Sequence, residues 1–269
     1  MFSLRVLTYN TLFAGRDGQK DQRFVDQIET INLLKPDVYF MQEARGFGAN
    51  GAAGLFAMEK LIGMRGFLSS APRTGQNVAI FLRSPLAPIS FDVDSANFHH
   101  TCAVLRVAIP GVDRHLTLVG VHLCPNGPET RLREAAVLAI QARADQLALV
   151  AGDFNSASPH DALPTDWARL EPHHQARYAS ADWTRVDHAV LNRLESAGWV
   201  DIGHVLGENG EPTVPTLAYR QAEFPTMRCD YVLASKSMAV FATGYQVIRS
   251  ELTDRASDHY PVLTTFEVV

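Results

Sequence analysis

The sequence predicts an α/β fold built on mixed β-sheets, with helices packed outside them. Three observations predict it. Apolar runs of strand length alternate with stretches of helical apolar spacing along the 269 residues. Several strands follow one another directly through short turns, so a simple strand–helix–strand repeat does not account for the order. No internal stretch has the Gly, Ser or Pro content of a linker, and no tract is repeated or of low complexity. Residues 1–269 therefore read as one domain.

The elements follow in order. Residues 3–9 alternate as a strand. Residues 21–34 set Phe24, Val25, Ile28, Ile31 and Leu34 at helical spacing, and Pro36 closes that helix. Residues 37–41 are a short apolar strand that delivers Gln42 and Glu43, and residues 55–64 are spaced as a helix. Residues 77–83 and 89–93 read as strands broken by Pro85 and Pro88. Residues 102–109 and 115–122 form a hairpin around Pro110-Gly111-Val112-Asp113. Residues 131–146, rich in Ala, Leu and Arg, read as a helix that leads into a strand at 147–151. Residues 159–199 are mixed and partly helical, with Val186, Val190 and Leu194 on one face. Residues 229–234, 241–249 and 260–268 supply the closing strands.

Composition narrows the function. Hydrophobic residues make up 46% and charged residues 20%, which suits a globular core. The net charge of -5 counts against a protein that lives on non-specific duplex binding, while leaving room for a local basic cleft. Cys102, Cys124 and Cys229 are far apart and form no CxxC pair, so neither a zinc ribbon nor a disulfide framework is indicated. They read as buried free thiols of a reducing compartment. Residues 1–9 run as a first strand rather than a signal peptide, and no stretch approaches the ~18 apolar residues of a membrane span. A soluble, cytoplasmic protein is the expectation.

One pattern carries chemistry. Polar residues recur just past apolar strands: Asn10, Glu43, His122, Asp153 with Asn155, Asp230, and Asp258 with His259. Singly, each has an ordinary explanation, such as a turn cap, a solvated loop carboxylate or a satisfied core histidine. Jointly they bring carboxylate, amide and imidazole groups to strand ends, the groups that hold a hard cation and activate water. Competing signals are weaker. Gly46, Gly48 and Gly51 spell a dinucleotide fingerprint, but no acidic residue stands ~20 positions on, so this is a loop at the rim. His99-His100 and His173-His174 lack metal-ligand spacing and read as solvated or loop histidines. There is no GxSxG nucleophile elbow. Trp167, Trp183 and Trp199 read as core or loop packing by default, and Trp183, in its polar stretch, is the one to watch for stacking on a base or sugar.

Six segments carry a resemblance. They are Leu7-Thr8-Tyr9-Asn10-Thr11, Asp37-Val38-Tyr39-Phe40-Met41-Gln42-Glu43, Val119-Gly120-Val121-His122-Leu123, Gly152-Asp153-Phe154-Asn155, Arg228-Cys229-Asp230-Tyr231-Val232-Leu233 and Ser257-Asp258-His259-Tyr260-Pro261-Val262. In this order they resemble the endonuclease/exonuclease/phosphatase superfamily of DNase I-like metal-dependent phosphoesterases. The resemblance implies a four-layer α/β sandwich, two mixed sheets face to face with helices on the outer faces. It implies Mg²⁺ or Mn²⁺ held by Glu43 and Asn10, with Asp258 assisting. Asp153 would orient or deprotonate the attacking water, and Asn155 would hold that water or the phosphate. His259, paired with Asp230, would donate to a phosphoryl oxygen, and His122 would stabilise the phosphate or protonate the leaving group. Arg131 matches a position that contacts phosphate or braces the site; its ordinary reading is an exposed helix arginine. Asn77 sits where family members approach substrate; its ordinary reading is a polar residue at a strand entry. One departure stands out: Leu12 occupies a position that is often acidic in abasic-site endonucleases, which weakens a second metal near Asn10.

The function implied is hydrolysis of a phosphodiester by in-line attack of water, with a nuclease first. The alternatives are a phosphatase or phosphodiesterase of a small-molecule or lipid phosphoester, and a non-catalytic binding protein on the same fold. The partner is a phosphoester substrate, nucleic acid being one class of it; no protein partner is inferable. Specificity falls to the loops at 46–54, 84–101, 156–185 and 207–227.

Overall fold

In a computed structural model, which describes residues 1–18, 20–207 and 210–269, the chain opens with β1 (Phe2–Asn10), α1 (Gln22–Leu34) and β2 (Val38–Gln42). Then come α2 (Ala49–Ile62), β3 (Arg65–Ser69), β4 (Val78–Leu82), β5 (Ala87–Asp94), β6 (Cys102–Ala108) and β7 (Leu116–His122). The next are α3 (Pro128–Ala139), β8 (Leu147–Asp153), α4 (Pro172–Gln175), α5 (Ala189–Ala197), β9 (Trp199–Asp201) and α6 (Ile202–Leu206). The chain closes with β10 (Asp230–Ser235), α7 (Lys236–Ala239), β11 (Ala242–Val247), α8 (Thr253–Ala256) and β12 (Val262–Val268).

The strands form two six-stranded sheets, ordered β11-β12-β1-β2-β4-β3 and β5-β6-β7-β8-β10-β9. Each sheet contains one parallel pair, β1 with β2 and β7 with β8, and every other pairing is antiparallel. A parallel pair needs a crossover, and α1 and α3 supply them. The two sheets thus share one pattern of strand directions, a repeat of topology that the sequence does not display.

Side-chain alternation builds four layers. Along β1, Leu4 and Val6 face the core between the sheets, while Leu7 and Tyr9 face a second cluster with Phe24 and Ile31 of α1 and Met58 of α2. Along β8, Leu147, Leu149 and Ala151 join the inter-sheet core, while Ala148 and Val150 pack with Leu138 of α3 and Val190 and Leu194 of α5. The sheets approach closely at Gly120, where a Cβ would lie 3.1–3.3 Å from Val78, Phe40 and Ile80. The sandwich with outer helices is the architecture the sequence implied.

Several elements differ from expectation. Pro88 does not break a strand; it lies inside β5, where the register shifts between Pro88 and Ser90. Because β5 is a sheet edge, a residue without an N–H is tolerated there. Helix α3 spans Pro128–Ala139 rather than 131–146; Gln141, Ala142 and Gln146 instead make turn hydrogen bonds. Val186 precedes α5 and bridges Ala179 instead of sharing a helix face with Val190. All three cysteines are free and buried. Trp199 is core, its indole N–H donating to the Leu138 carbonyl at 3.0 Å, whereas Trp183 is 56% exposed. Among the described residues, no helix is long and apolar enough to cross a membrane. Two residues of the 207–227 loop, 208 and 209, lie outside the described residues.

Candidate active site

The alternation that builds the core also aims the polar residues at the strand ends. Counting by twos from the inter-sheet residues reaches Asn10 on β1, His122 on β7, Asp153 on β8 and Asp230 on β10. Register then sets them side by side: Asp153 is the pairing partner of both His122 and Asp230. Gly152 permits this approach, since with φ at 151° any Cβ there would lie 1.9 Å from the Val121 carbonyl oxygen. Glu43 lies one residue past β2 in a left-handed conformation, φ 59°, and it lines the same cup as Asn10, His122 and Asp153.

Asp153 is the hub. Its Oδ2 accepts from Asn10 Nδ2 at 3.0 Å and lies 3.3 Å from His122 Nε2 and 3.7 Å from His259 Nε2. Its Oδ1 accepts the Asn155 backbone N–H at 2.8 Å. Asn155 donates its amide to the Leu123 carbonyl at 3.0 Å. His259 Nδ1 lies 2.8 Å from Asp230 Oδ2. Glu43 accepts from Asn10 Nδ2 at 3.4 Å and from the Phe13 N–H at 2.9 Å. The hydroxyl of Ser257 donates to the Asn10 carbonyl at 2.7 Å, tying the Asp258-His259 turn to the end of β1. Together these groups border a cup of about 160 Å³, with half-buried Asp258 on its wall.

Charge is divided across the cup. Burial works against a charged His259, but the Asp230 and Asp153 carboxylates outweigh it and hold the imidazolium well above the ordinary histidine value. Burial instead lowers His122 to about 3, assisted by the charge on His259, so His122 is neutral. Burial raises Glu43 to about 7, with the Asp258 carboxylate adding to the effect, and burial raises Asp258 as well. Asp153, Cys229 and His259 bring ligand atoms within 4.8 Å of one another. A thiol and an imidazole are softer donors than Mg²⁺ or Mn²⁺ prefers, and His259 Nδ1 is engaged by Asp230, so that trio does not suit a hard cation.

Of the residues singled out in sequence, Asn10, Glu43, His122, Asp153, Asn155, Asp258 and His259 line the cup, and Asp230 stands directly behind His259. Arg131 and Asn77 do not line it. Arg131 is neither an exposed helix arginine nor free to touch substrate. It is 1% exposed and spends its guanidinium on Ser156 Oγ and on the carbonyls of Cys124 and Arg177, at 3.0, 2.9 and 2.6 Å. The Asn77 amide is used on backbone, accepting from Ala71 N–H at 2.8 Å and donating to the Ala44 carbonyl at 3.0 Å. Asn10 turns its amide nitrogen into the cup, while its Oδ1 accepts from the Leu12 N–H at 3.1 Å.

Sequence reading missed seven cup residues, Gln76, His100, Pro125, Arg177, Tyr178, Phe224 and Cys229. His100 is the clearest correction, since it is buried rather than solvated. Its ring packs 4.5 Å from that of His122, its Nδ1 lies 2.7 Å from Thr74 Oγ1, and burial lowers it to about 2. The adjacent pair His99-His100 was the available signal; which of the two faces inward is decided by the fold.

Two mixed sheets sandwiched between helices, with carboxylates and imidazoles converging at the strand ends, define the DNase I-like class. Residues 7–259 match the Endonuclease/Exonuclease/phosphatase family, and the chain belongs to it. Solved structures share the fold. D. rerio TDP2 complexed with single strand DNA product is 16% identical, with 99% of each chain covered and a TM-score of 0.69. An AP endonuclease from Archaeoglobus fulgidus is 21% identical, with 98% of this chain and 100% of that one covered and a TM-score of 0.68. An endonuclease/exonuclease/phosphatase from Bacteroides vulgatus is 15% identical over the whole of both chains, with a TM-score of 0.72. At such identities the likeness is one of fold. No curated protein matches the chain.

Proposed function

We propose that this protein is a divalent-cation-dependent phosphodiesterase that hydrolyses its substrate by in-line attack of water, with a nucleic acid strand as the first substrate class. The observation that carries the reading is the cup itself, where Asp153 lies 3.0 Å from Asn10 and 3.7 Å from His259, whose ring is in turn 2.8 Å from Asp230.

The donors fit a hard cation. Glu43 and Asp258 offer carboxylate oxygens, and among the described residues neither forms an ion pair with Lys or Arg. With only the His259 imidazolium facing two half-buried carboxylates, negative charge is in excess, and oxygen ligands of this kind suit Mg²⁺ or Mn²⁺. Glu43 and Asp258 would hold the ion. Asn10, with its oxygen engaged by Leu12, would steady Glu43 against Asp153 rather than ligate. When bound, the ion supplies Lewis-acid neutralisation of charge on the phosphoryl and leaving oxygens.

The chain's own groups would do the rest. Asp153 accepts a hydrogen bond from the attacking water and then its proton as the new P–O bond forms and the opposite P–O bond breaks, the leaving oxygen taking its proton from solvent water. Asn155, fixed by Leu123, presents its amide oxygen to the same water. The His259 imidazolium donates to a non-bridging oxygen whose charge grows in the transition state. His122 is neutral, so its role is hydrogen-bond donation rather than protonation of the leaving group. At about 160 Å³ the cup admits a phosphoryl group and little more, so the remainder of the substrate lies outside it. Next to His100, a cleft of about 440 Å³ carries Arg73, His99 and Arg133, a surface suited to further phosphates of a strand. A small phosphoester is the second reading, favoured by the net charge of -5.

The test is a Mn²⁺- and Mg²⁺-supplemented panel of single-stranded DNA, duplex DNA, RNA and small phosphoesters, run on the wild type and His259→Ala. Hydrolysis of a polymer by the wild type alone supports the nuclease. Hydrolysis of small esters alone selects the second reading. Absence of both leaves a binding protein on this fold.

A further inference from the structure

The cup's mouth holds one guanidinium with no assigned task. Among the described residues that line the cup, Arg177 is the only Lys or Arg. A buried frame aims it. Its Nε donates to the Pro125 carbonyl at 3.1 Å, and its own carbonyl accepts from Arg131 Nη2 at 2.6 Å. The guanidinium lies 5.4 Å from the ring centre of Tyr178, which is 1% exposed. Arg131 is in turn pinned by Ser156 and Cys124, so its buried charge serves to fix the backbone from which Arg177 projects.

The outer end of Arg177 is weakly committed. Its Nη1 donates to Glu223 at 2.9 Å, and the Glu223 side chain is 61% exposed. Its Nη2 has no hydrogen-bond partner among the described residues. An ion pair with so exposed a carboxylate contributes little, whereas a guanidinium fork matches a phosphoryl group with two parallel hydrogen bonds. Glu223 has a second partner at hand, since His174 Nε2 lies 3.5 Å from it.

We propose that Arg177 is the anion contact at the mouth of the cup, taking non-bridging oxygen of the substrate phosphoryl group in exchange for Glu223, with Arg131 as its positioning residue. This rests on the phosphoesterase reading of the same cup. It moves the phosphate contact from Arg131, where the sequence suggested it, to a residue 46 positions further along the chain. Glu223 becomes a resting counter-ion that an arriving phosphate must displace.

That competition gives the test its sign. Inorganic phosphate is titrated calorimetrically into the wild type, Arg177→Ala, Arg177→Lys and Glu223→Gln, each checked for a native thermal melt. Arg177→Ala is expected to weaken phosphate binding on the order of tenfold to a hundredfold, as for a lost charge-assisted hydrogen bond, with Arg177→Lys recovering part. Glu223→Gln is expected to tighten it, by about fivefold or less. Unchanged binding in Arg177→Ala, or weaker binding in Glu223→Gln, would make the pair a loop brace and overturn the proposal; so would a wild type that binds no phosphate. Hydrolysis by the same proteins separates the two readings. Phosphate binding lost in Arg177→Ala while the wild type cleaves no ester keeps Arg177 and removes the phosphoesterase. Cleavage by a wild type whose Arg177→Ala variant binds phosphate normally does the reverse.

Discussion

His259 owes its charge to two carboxylates, and that charge is its usefulness. Burial alone would discharge the ring, while Asp230 at 2.8 Å restores the proton and fixes Nε2 toward the cup. Removing the donor in His259→Ala is expected to lower kcat on the order of 10²–10³-fold, measured on any ester the wild type cleaves. Asp230→Asn tests the charge separately. The wild-type ring stays cationic above the ordinary histidine value and loses its proton only as pH rises past that raised value. Without Asp230 burial gains ground, so the alkaline limb of the kcat profile is expected to move to lower pH. Glu43 titrates with the opposite consequence. Its folded-state value rises from 4.5 to about 7, so the native state binds this proton more tightly than the unfolded chain does. Stability without a cation therefore falls as pH rises through that window. Thermal melts are expected to show a larger gain from Mg²⁺ at about pH 8 than at about pH 5.5. Glu43→Gln should shrink the difference, leaving the part that Asp258, also raised by burial, contributes.

Strand ends make the site, and their placement depends on what anchors each strand. Arg228, just before β10, pairs with Asp161 at 2.9 Å and with Asp201 at 2.7 Å, and its side chain is fully buried. Arg228→Met would leave two carboxylates uncompensated in the interior. The expected cost is about 3–5 kcal/mol in denaturant melts, with the entry of β10 and hence Asp230 displaced. At this scale sequence patterns read well wherever burial is periodic. The long strands and α1 show their inner and outer faces as spacing two and spacing 3.6. The elements missed lack such a signal. β3 begins Arg65-Gly66 and is mostly half-buried, β9 has three residues, and α6 to α8 have four or five each. Tertiary contacts hold these pieces, as when the Asp201 carboxylate caps α6 through the Gly203 N–H at 2.9 Å. The site followed the same division. Residues on inter-sheet strand faces could be found from alternation, whereas His100 and Arg177 sit on connections whose course only the folded chain defines.

At the scale of the molecule, closing one sheet over the other brings the ends of β1, β7, β8 and β10 to one rim, with residues as far apart as Asn10 and His259 at 3.5 Å. The interior of the sandwich is predominantly apolar, and its carboxylates and imidazoles gather at that end. This concentrates negative charge where the proposed cation would sit and would confine the reacting group to a small cup. A polymeric substrate must then use the surface beyond it. If a strand runs through the cleft bearing Arg73 and Arg133, its cleavage should weaken steeply with salt. Arg133→Glu should flatten that salt dependence by removing a phosphate contact, read from kcat/KM at several ionic strengths.

The most direct measurement is the initial rate of bis-p-nitrophenyl phosphate hydrolysis with added Mn²⁺ and after chelation, in the wild type and in Asp153→Asn. Turnover that vanishes with chelator, returns with the ion and is lost in the variant is the expected result. Turnover indifferent to chelation, or retained without the Asp153 carboxylate, would contradict a cation-assisted attack of water at this rim.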